Sequence, residues 1–210
     1  MIRLCWQPLL LLDVEIPAGD LQCGEKRRLV MPRAYQLEWL SRMSSEHQGI
    51  CLQKGQEKIS AGSSCFSQHV LCMLHQRSTL ANLSLRENLL LPFLYQGRGE
   101  SLERASDALV DVALHLGIAD KLDEQAGEGS GYMHALVSLG RAMLMKPDFI
   151  VVQDAYAAMQ LHRQDVFRSL FCEIVESLGS GILYLSTSAQ EGSGLEFCQS
   201  FELIGAQESL

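Results

Sequence analysis

The spacing of apolar residues changes as the chain proceeds. Over residues 1–31 they come in short bursts broken by turn residues. Val14-Glu15-Ile16 alternates as a half-buried strand does, and residues 17–20 make a turn. Gly24-Glu25 then opens a second strand, Arg27–Met31, which Pro32 ends. Residues 34–43 carry Leu37, Leu40 and Met43 at a spacing of three, which predicts a helix with one apolar face. Residues 44–64 are polar and glycine-bearing, with short strand-like pieces at Ile50-Cys51-Leu52 and Ile59. Val70–Leu74 reads as a further strand.

The middle of the chain is helical in pattern. Ser84-Leu85-Arg86-Glu87 has the form of a capping box, in which serine and glutamate satisfy each other's orphan helix-end amides. A helix over 85–95 follows, bearing Pro92. Leu102, Ala105, Leu109, Val112 and Leu116 mark one face of a second helix, with Gly117 placed to stop it, and 135–145 makes a third. The last third alternates. Residues 149–152 form a continuous apolar run, as in a strand covered on both faces. A helical stripe of Val166, Leu170, Ile174 and Leu178 is closed by Gly179, and residues 182–185 make a second buried strand. Strand, helix and strand at this length predict a βαβ unit, hence a parallel sheet and an α/β class. No internal repeat or low-complexity linker interrupts the pattern.

Composition narrows the function classes. A chain of 210 residues is one good-sized domain or two very small ones. With 47% hydrophobic and 20% charged residues it is a folded globule, because disorder needs low hydrophobicity and high charge. The run 9–12 follows Arg3 but is stopped by Asp13 and Glu15, far short of the roughly 20 residues of a membrane span. It has no adequate apolar core and no cleavage site for a signal peptide, and reads as a strand or loop. A net charge of −8 argues against a broad nucleic-acid surface. The seven cysteines are odd in number and none has CxxC spacing, so they are expected to be buried, reduced thiols of a cytoplasmic protein. The six histidines are scattered, with no HExxH-like pair, and no metal site is expected.

Three stretches carry a family resemblance. Residues 70–76, ending in Gln76, resemble the strand that leads to the Q-loop glutamine of the nucleotide-binding domain of an ABC transporter. Residues 80–89 resemble that family's entry into its helical subdomain, and residues 140–148 with the strand after them resemble its run into the Walker B strand. The order and spacing of these stretches cover nearly the whole chain. The resemblance implies a single domain over 1–210, with a P-loop NTPase-like (ABC ATPase) core, a mixed or parallel sheet and an inserted helical subdomain at roughly 80–140. Leu83–Tyr95 and Met133–Ala142 are most similar to the Mce/Mla-type lipid-transport ATPases.

The family's chemistry does not carry over residue by residue. A P-loop needs glycines so that backbone amides can curl round phosphate, a lysine for the β/γ-phosphates and a hydroxyl for magnesium. An ungapped match from Gly24-Glu25 lays the P-loop on Met31–Glu38, with Met31, Ala34 and Gln36 at the glycine positions, Leu37 at the lysine and Glu38 at the hydroxyl. Side chains at the glycine positions resist the required path. At about 4 Å and an effective dielectric near 20, one unit charge pair is worth on the order of 4 kcal/mol, so exchanging Lys⁺ for a carboxylate removes most phosphate affinity. The signature motif falls on Gly129-Ser130-Gly131-Tyr132, where Ser130 and Gly131 survive as remnants but Tyr132 places a ring against the phosphate side. Gln153 stands at the Walker B aspartate, Asp154 at the catalytic glutamate, Gln160 near the D-loop aspartate and Ser188 at the switch histidine. Trp6 is the nearest candidate for adenine stacking, and a core position is its simpler account.

Phosphoryl transfer rests on positioning and charge neutralisation, and here every charged participant is replaced. The resemblance therefore implies a noncatalytic ATPase-like subunit, a pseudoenzyme needing neither ATP nor metal. It would pair with an ABC permease, an active ATPase subunit or both, at the inner face of the membrane, with a structural or regulatory role. The alternative is a divergent ABC ATPase that still binds and hydrolyses ATP with magnesium. In the family, the groove beside the Q-loop receives the permease, so Gln76, Leu85, Leu89, Phe93 and Tyr95 are the candidate docking residues, against core packing of an all-round apolar helix. Asp154 reads either as a general base or as a capping acid at a strand end. Ser130 lacks the strand–turn–helix elbow of a hydrolase nucleophile. His134 and Ser138 read as two polar residues on a helix surface, and Arg33 as a surface arginine or a holder of an anion.

Overall fold

The computed structural model describes residues 2–45, 49–73, 79–96, 99–127, 130–156, 159–190 and 194–203. The chain divides into two compact units, one of 1–72, 148–154 and 179–210, the other of 73–147 and 155–178. The helical unit is thus wider than the expected 80–140, since it takes in the helix between the last two apolar runs.

In the first unit, β1 (Ile2–Trp6), β2 (Leu9–Leu11), β3 (Val14–Ile16), β4 (Gly19–Gln22) and β5 (Lys26–Val30) precede α1 (Arg33–Ser44). There follow β6 (Ile50–Lys54), β7 (Glu57–Ser60), the short α2 (Phe66–His69) and β8 (Val70–Met73), then β9 (Phe149–Gln153), β10 (Gly181–Ser186) and β11 (Gln199–Glu202). One sheet has the order β4-β1-β6-β7, and its neighbours pair antiparallel. Alternation along these strands puts Leu21, Leu4, Leu52 and Ile59 in one buried row. Asp20, Cys5, Cys51 and Ser60 make the adjoining row on the opposite face. The other sheet has the order β11-β5-β10-β9-β8, with β5 parallel to β10 and β11, and β9 parallel to β10. The expected parallel sheet is therefore present, and β9 and β10 are buried along their whole length, as continuous apolar runs require.

The core of this unit gathers Leu4, Leu21 and Leu52 from the antiparallel sheet, Trp39 and Met43 from α1, and Val151 and Leu183 from the parallel sheet. Trp6 belongs to it, edge-on to Trp39 at 5.5 Å with Nε1 donating to the Pro17 carbonyl at 3.1 Å. A Cβ on Gly19 would stand 2.4 Å from the Trp6 ring, so only glycine fits there.

The second unit holds α3 (Leu85–Gln96), α4 (Gly99–His115), a 3₁₀ turn at Ala119–Lys121, α5 (Gly131–Met145) and α6 (Leu161–Leu178). The capping box forms: the Glu87 carboxylate accepts Ser84 N–H and Oγ–H, each at 2.8 Å, and Ser84 Oγ accepts Glu87 N–H at 3.2 Å. Buried Asn88 ties the entry of α3 together. It accepts Leu80 N–H at 2.8 Å and donates to the carbonyls of Leu80 and Ser84, both at 3.0 Å. Arg141 of α5 donates to the Asn88 carbonyl at 2.8 Å, and burial brings its guanidinium pKa down to about 10. At Gly140 a Cβ would lie 2.5 Å from Leu89 and 3.0 Å from Leu116, so the missing side chain is what lets α5 approach its neighbours. Gly117 stops the α4 segment at φ 68°. No helix among the described residues is long and apolar enough to cross a membrane.

Candidate functional site

In an open parallel sheet, ligands bind beyond the carboxyl ends of the strands. In the first unit the groups there are the exits of β5, β9 and β10. β5 passes into α1 through Met31 and Pro32 alone. Met31 N–H donates to the Ser186 carbonyl at 2.8 Å, and Pro32, with φ −55° and ψ 151°, precedes the helix without a side-chain cap. The stretch Met31–Glu38, on which the resemblance lays the P-loop, runs straight into the expected helix, and Arg33–Glu38 are already helical. The fixed φ of Pro32 presets the start of a helix, and no glycine follows to interrupt it. Leu37 lies 54% exposed on α1, and Glu38 pairs along the helix with Arg42 at 2.9 Å. Neither occupies a loop.

Gln36 is fully buried. Its Nε2 donates to the Met31 carbonyl at 3.1 Å and to Asp154 Oδ1 at 3.4 Å, while its Oε1 has no partner. Asp154 is 3% exposed and left-handed at φ 40°, a conformation that aspartate tolerates better than most residues, and its N–H donates to the Leu185 carbonyl at 3.1 Å. Gln153 beside it is equally buried, with Nε2 unpartnered. Ser186 Oγ donates to the Ser188 carbonyl at 2.9 Å, and Ser188 Oγ bonds Gln190. A cavity of about 440 Å³ beyond the ends of β5 and β10 is lined by Met31, Pro32, Arg33, Thr187 and Glu202 among others. Arg33 shares it with a carboxylate, so the cavity is not a purely cationic one.

In the second unit, Ser130 caps α5 by accepting Met133 N–H at 3.3 Å, and Gly131 is the first helical residue. The Tyr132 ring beside them has the Arg163 guanidinium over it at 5.0 Å and meets Phe167 edge-on. Ser130, Gly131, Tyr132, Gln160, His162 and Arg163 contribute to the lining of a cavity of about 590 Å³. Gln76 and Gly129 lie outside the described residues. Leu85, Leu89 and Phe93, expected as docking residues, are buried at 3%, 0% and 7% exposure, which corrects their placement. The helix turns them into its own unit and leaves Leu94 and Tyr95 on the surface. His134 and Ser138 are not two surface groups either: His134 Nδ1 lies 2.6 Å from Thr79 Oγ1, and Ser138 is buried.

The seven cysteines are free thiols, but the expectation that they are buried holds only for Cys51. Cys23, Cys65 and Cys198 are exposed, and Cys5, Cys72 and Cys172 are intermediate. Sequence reasoning missed two juxtapositions, Gln36 with Asp154 and Cys5 with Cys51. Strand alternation around residues 5 and 51 was a usable signal for the second.

No protein-family model matches the chain. Curated relatives match parts of it. An ATP-binding protein of Brucella ovis named for peptide import is 32% identical over 42% of this chain and 27% of its own length. The sulfoquinovosyl glycerol transport ATP-binding protein of Agrobacterium fabrum is 26% identical over 53% of this chain and 31% of its own length. A macrolide export ATP-binding/permease protein of Yersinia pestis is 34% identical over 42% of this chain and 13% of its own length. The match thus spans less than a third of each relative. Among solved structures, the ADP conformation of an ATP-binding cassette of an ABC transporter superposes with a TM-score of 0.61 at 16% identity, covering 88% of this chain and 80% of that one. The fold is that of an ABC ATPase cassette. Relatives and fold agree with the resemblance of the sequence to an ABC transporter nucleotide-binding domain. In this fold the start of α1 beyond β5 and the exit of β9 are joined by the Gln36 amide and the Asp154 carboxylate.

Proposed function

We propose that the chain is a noncatalytic ATPase-type subunit of a membrane transport complex. It would be held on the cytoplasmic face by an ABC permease, an active ATPase partner or both, with a structural or regulatory role. The observation that carries this reading is the Gln36–Asp154 contact at the foot of α1. Magnesium-bound ATP calls for a cation on the phosphates and for a hydroxyl and a carboxylate on the metal. The residues present do not fit it: Leu37 offers no charge, Glu38 offers the wrong one, Gln153 offers an amide, and Asp154 already accepts from Gln36. The exposed Leu94 and Tyr95 support a protein-facing surface on the helical unit. The resemblance of residues 83–95 and 133–142 to Mce/Mla-type ATPases supports lipid as the cargo class, selected by the permease.

The test is a titration of the full chain with magnesium-ATP by calorimetry, alongside phosphate release. The expected result is no binding at micromolar ATP and no turnover. Micromolar binding with turnover would overturn the reading in favour of a divergent active ATPase. Purification from detergent-solubilised native membranes tests the partner. Co-elution with a permease is expected, and elution of the chain alone removes the subunit assignment.

A further inference from the structure

Cys5 on β1 and Cys51 on β6 are direct partners across the antiparallel sheet. Gln7 N–H donates to the Gly49 carbonyl at 2.9 Å, and hydrogen-bonded pairs recur every second residue, so Cys5 and Cys51 form the next such pair. Both thiols line a cavity of about 340 Å³ that Trp6, Gln53 and Lys58 also line. Burial pushes both thiols above the ordinary cysteine range, and the Lys58 ammonium opposes that rise at each. Two protonated thiols, side by side in register and open to a cavity with one cation, have no role in the reading above.

We propose that Cys5 and Cys51 form a dithiolate site for a soft monovalent cation of the cuprous kind. The choice over a direct disulfide is one of distance. Opposed residues on antiparallel strands hold their Cβ atoms about 4.5–5.5 Å apart, at the longer end for a hydrogen-bonded pair. A disulfide draws them to about 3.8 Å, and closing that gap would pull two paired strands out of register. An ion with metal–sulfur bonds of about 2.3 Å bridges sulfurs up to about 4.6 Å apart and leaves the strands in place. Thiolate sulfur selects soft ions over magnesium or calcium. On binding, each thiol loses its proton to solvent, two sulfur–copper bonds form, and no electron changes hands. The product carries one negative charge, which Lys58 in the same cavity offsets.

The experiment uses the full chain with Cys23, Cys65 and Cys198 replaced by serine, which removes the exposed thiols. It is titrated without oxygen against cuprous ion held by a coloured chelator, and loss of colour reads the copper transferred. The expected result is one copper per chain, lost on adding either Cys5→Ser or Cys51→Ser, while the Lys58→Met variant binds up to about fivefold more weakly, the size of one screened charge pair. The proposal is overturned if the triple-serine chain takes up no copper, or if uptake survives both single replacements. Lys58→Met keeps both thiols, so it tests the site even where a cysteine variant fails to fold.

Discussion

Two helices of this molecule begin at stretches on which the resemblance lays the phosphate motifs of an ABC cassette, and they begin differently. α1 follows Pro32 with no side-chain cap, and four residues into it a buried glutamine reaches an aspartate. α5 follows Ser130, which caps it in the ordinary way, and opens with Gly131. The first start is closed by the chain's own side chains. The second carries small polar residues, with the Tyr132 ring and its arginine beside them. At the first start a buried amide and a buried carboxylate bond one another. At the second the serine serves the helix as its cap.

Perturbing the packing of one helix and the bonding of the other should separate the two starts. Gly140→Val would drive methyl groups into Leu89 and Leu116, and the expected cost is about 3 kcal/mol of stability in urea unfolding. Gln36→Leu removes the amide donor from buried Asp154, with an expected loss of about 2 kcal/mol. An unchanged midpoint would mean that the start of α1 is not held from within. Ser130→Ala should cost about 1 kcal/mol. Pro32→Ala, which breaks no hydrogen bond, should cost about half as much, through chain entropy. Equal losses would erase the contrast between the two starts.

The smallest effect concerns pH. Hydrogen bonds from the Ser84 N–H and hydroxyl hold the Glu87 carboxyl below its ordinary pKa. Its stabilisation is complete above the ordinary glutamate range and is lost as pH falls through the lowered folded value. The unfolding midpoints of wild type and Glu87→Gln should therefore differ at neutral pH and converge in acid.

Legibility from sequence followed the range of each interaction. The Ser84–Glu87 box, the Gly117 stop and the apolar runs of β9 and β10 are local signals, and each appears where its pattern puts it. β11 was not legible, because Gln199-Ser200-Phe201-Glu202 has little strand character of its own and takes its place by pairing with β5 far away in sequence. The Gln36–Asp154 contact joins residues 118 apart, beyond any local pattern. The start of α1 was legible to within one residue, from the apolar spacing over 34–43 and from Pro32 just before it. Leu85, Leu89 and Phe93 carried a readable apolar pattern, but pattern alone does not say whether a face meets the chain's own helices or another protein.

The early start of α1 also bears on amide exchange with deuterated solvent. Gln36 N–H already bonds the Pro32 carbonyl, and the helix ladder uses the amides that follow. In a phosphate-holding loop, such amides exchange freely until a ligand arrives. Here their protection is intrinsic, and its decay reports the opening of α1 itself.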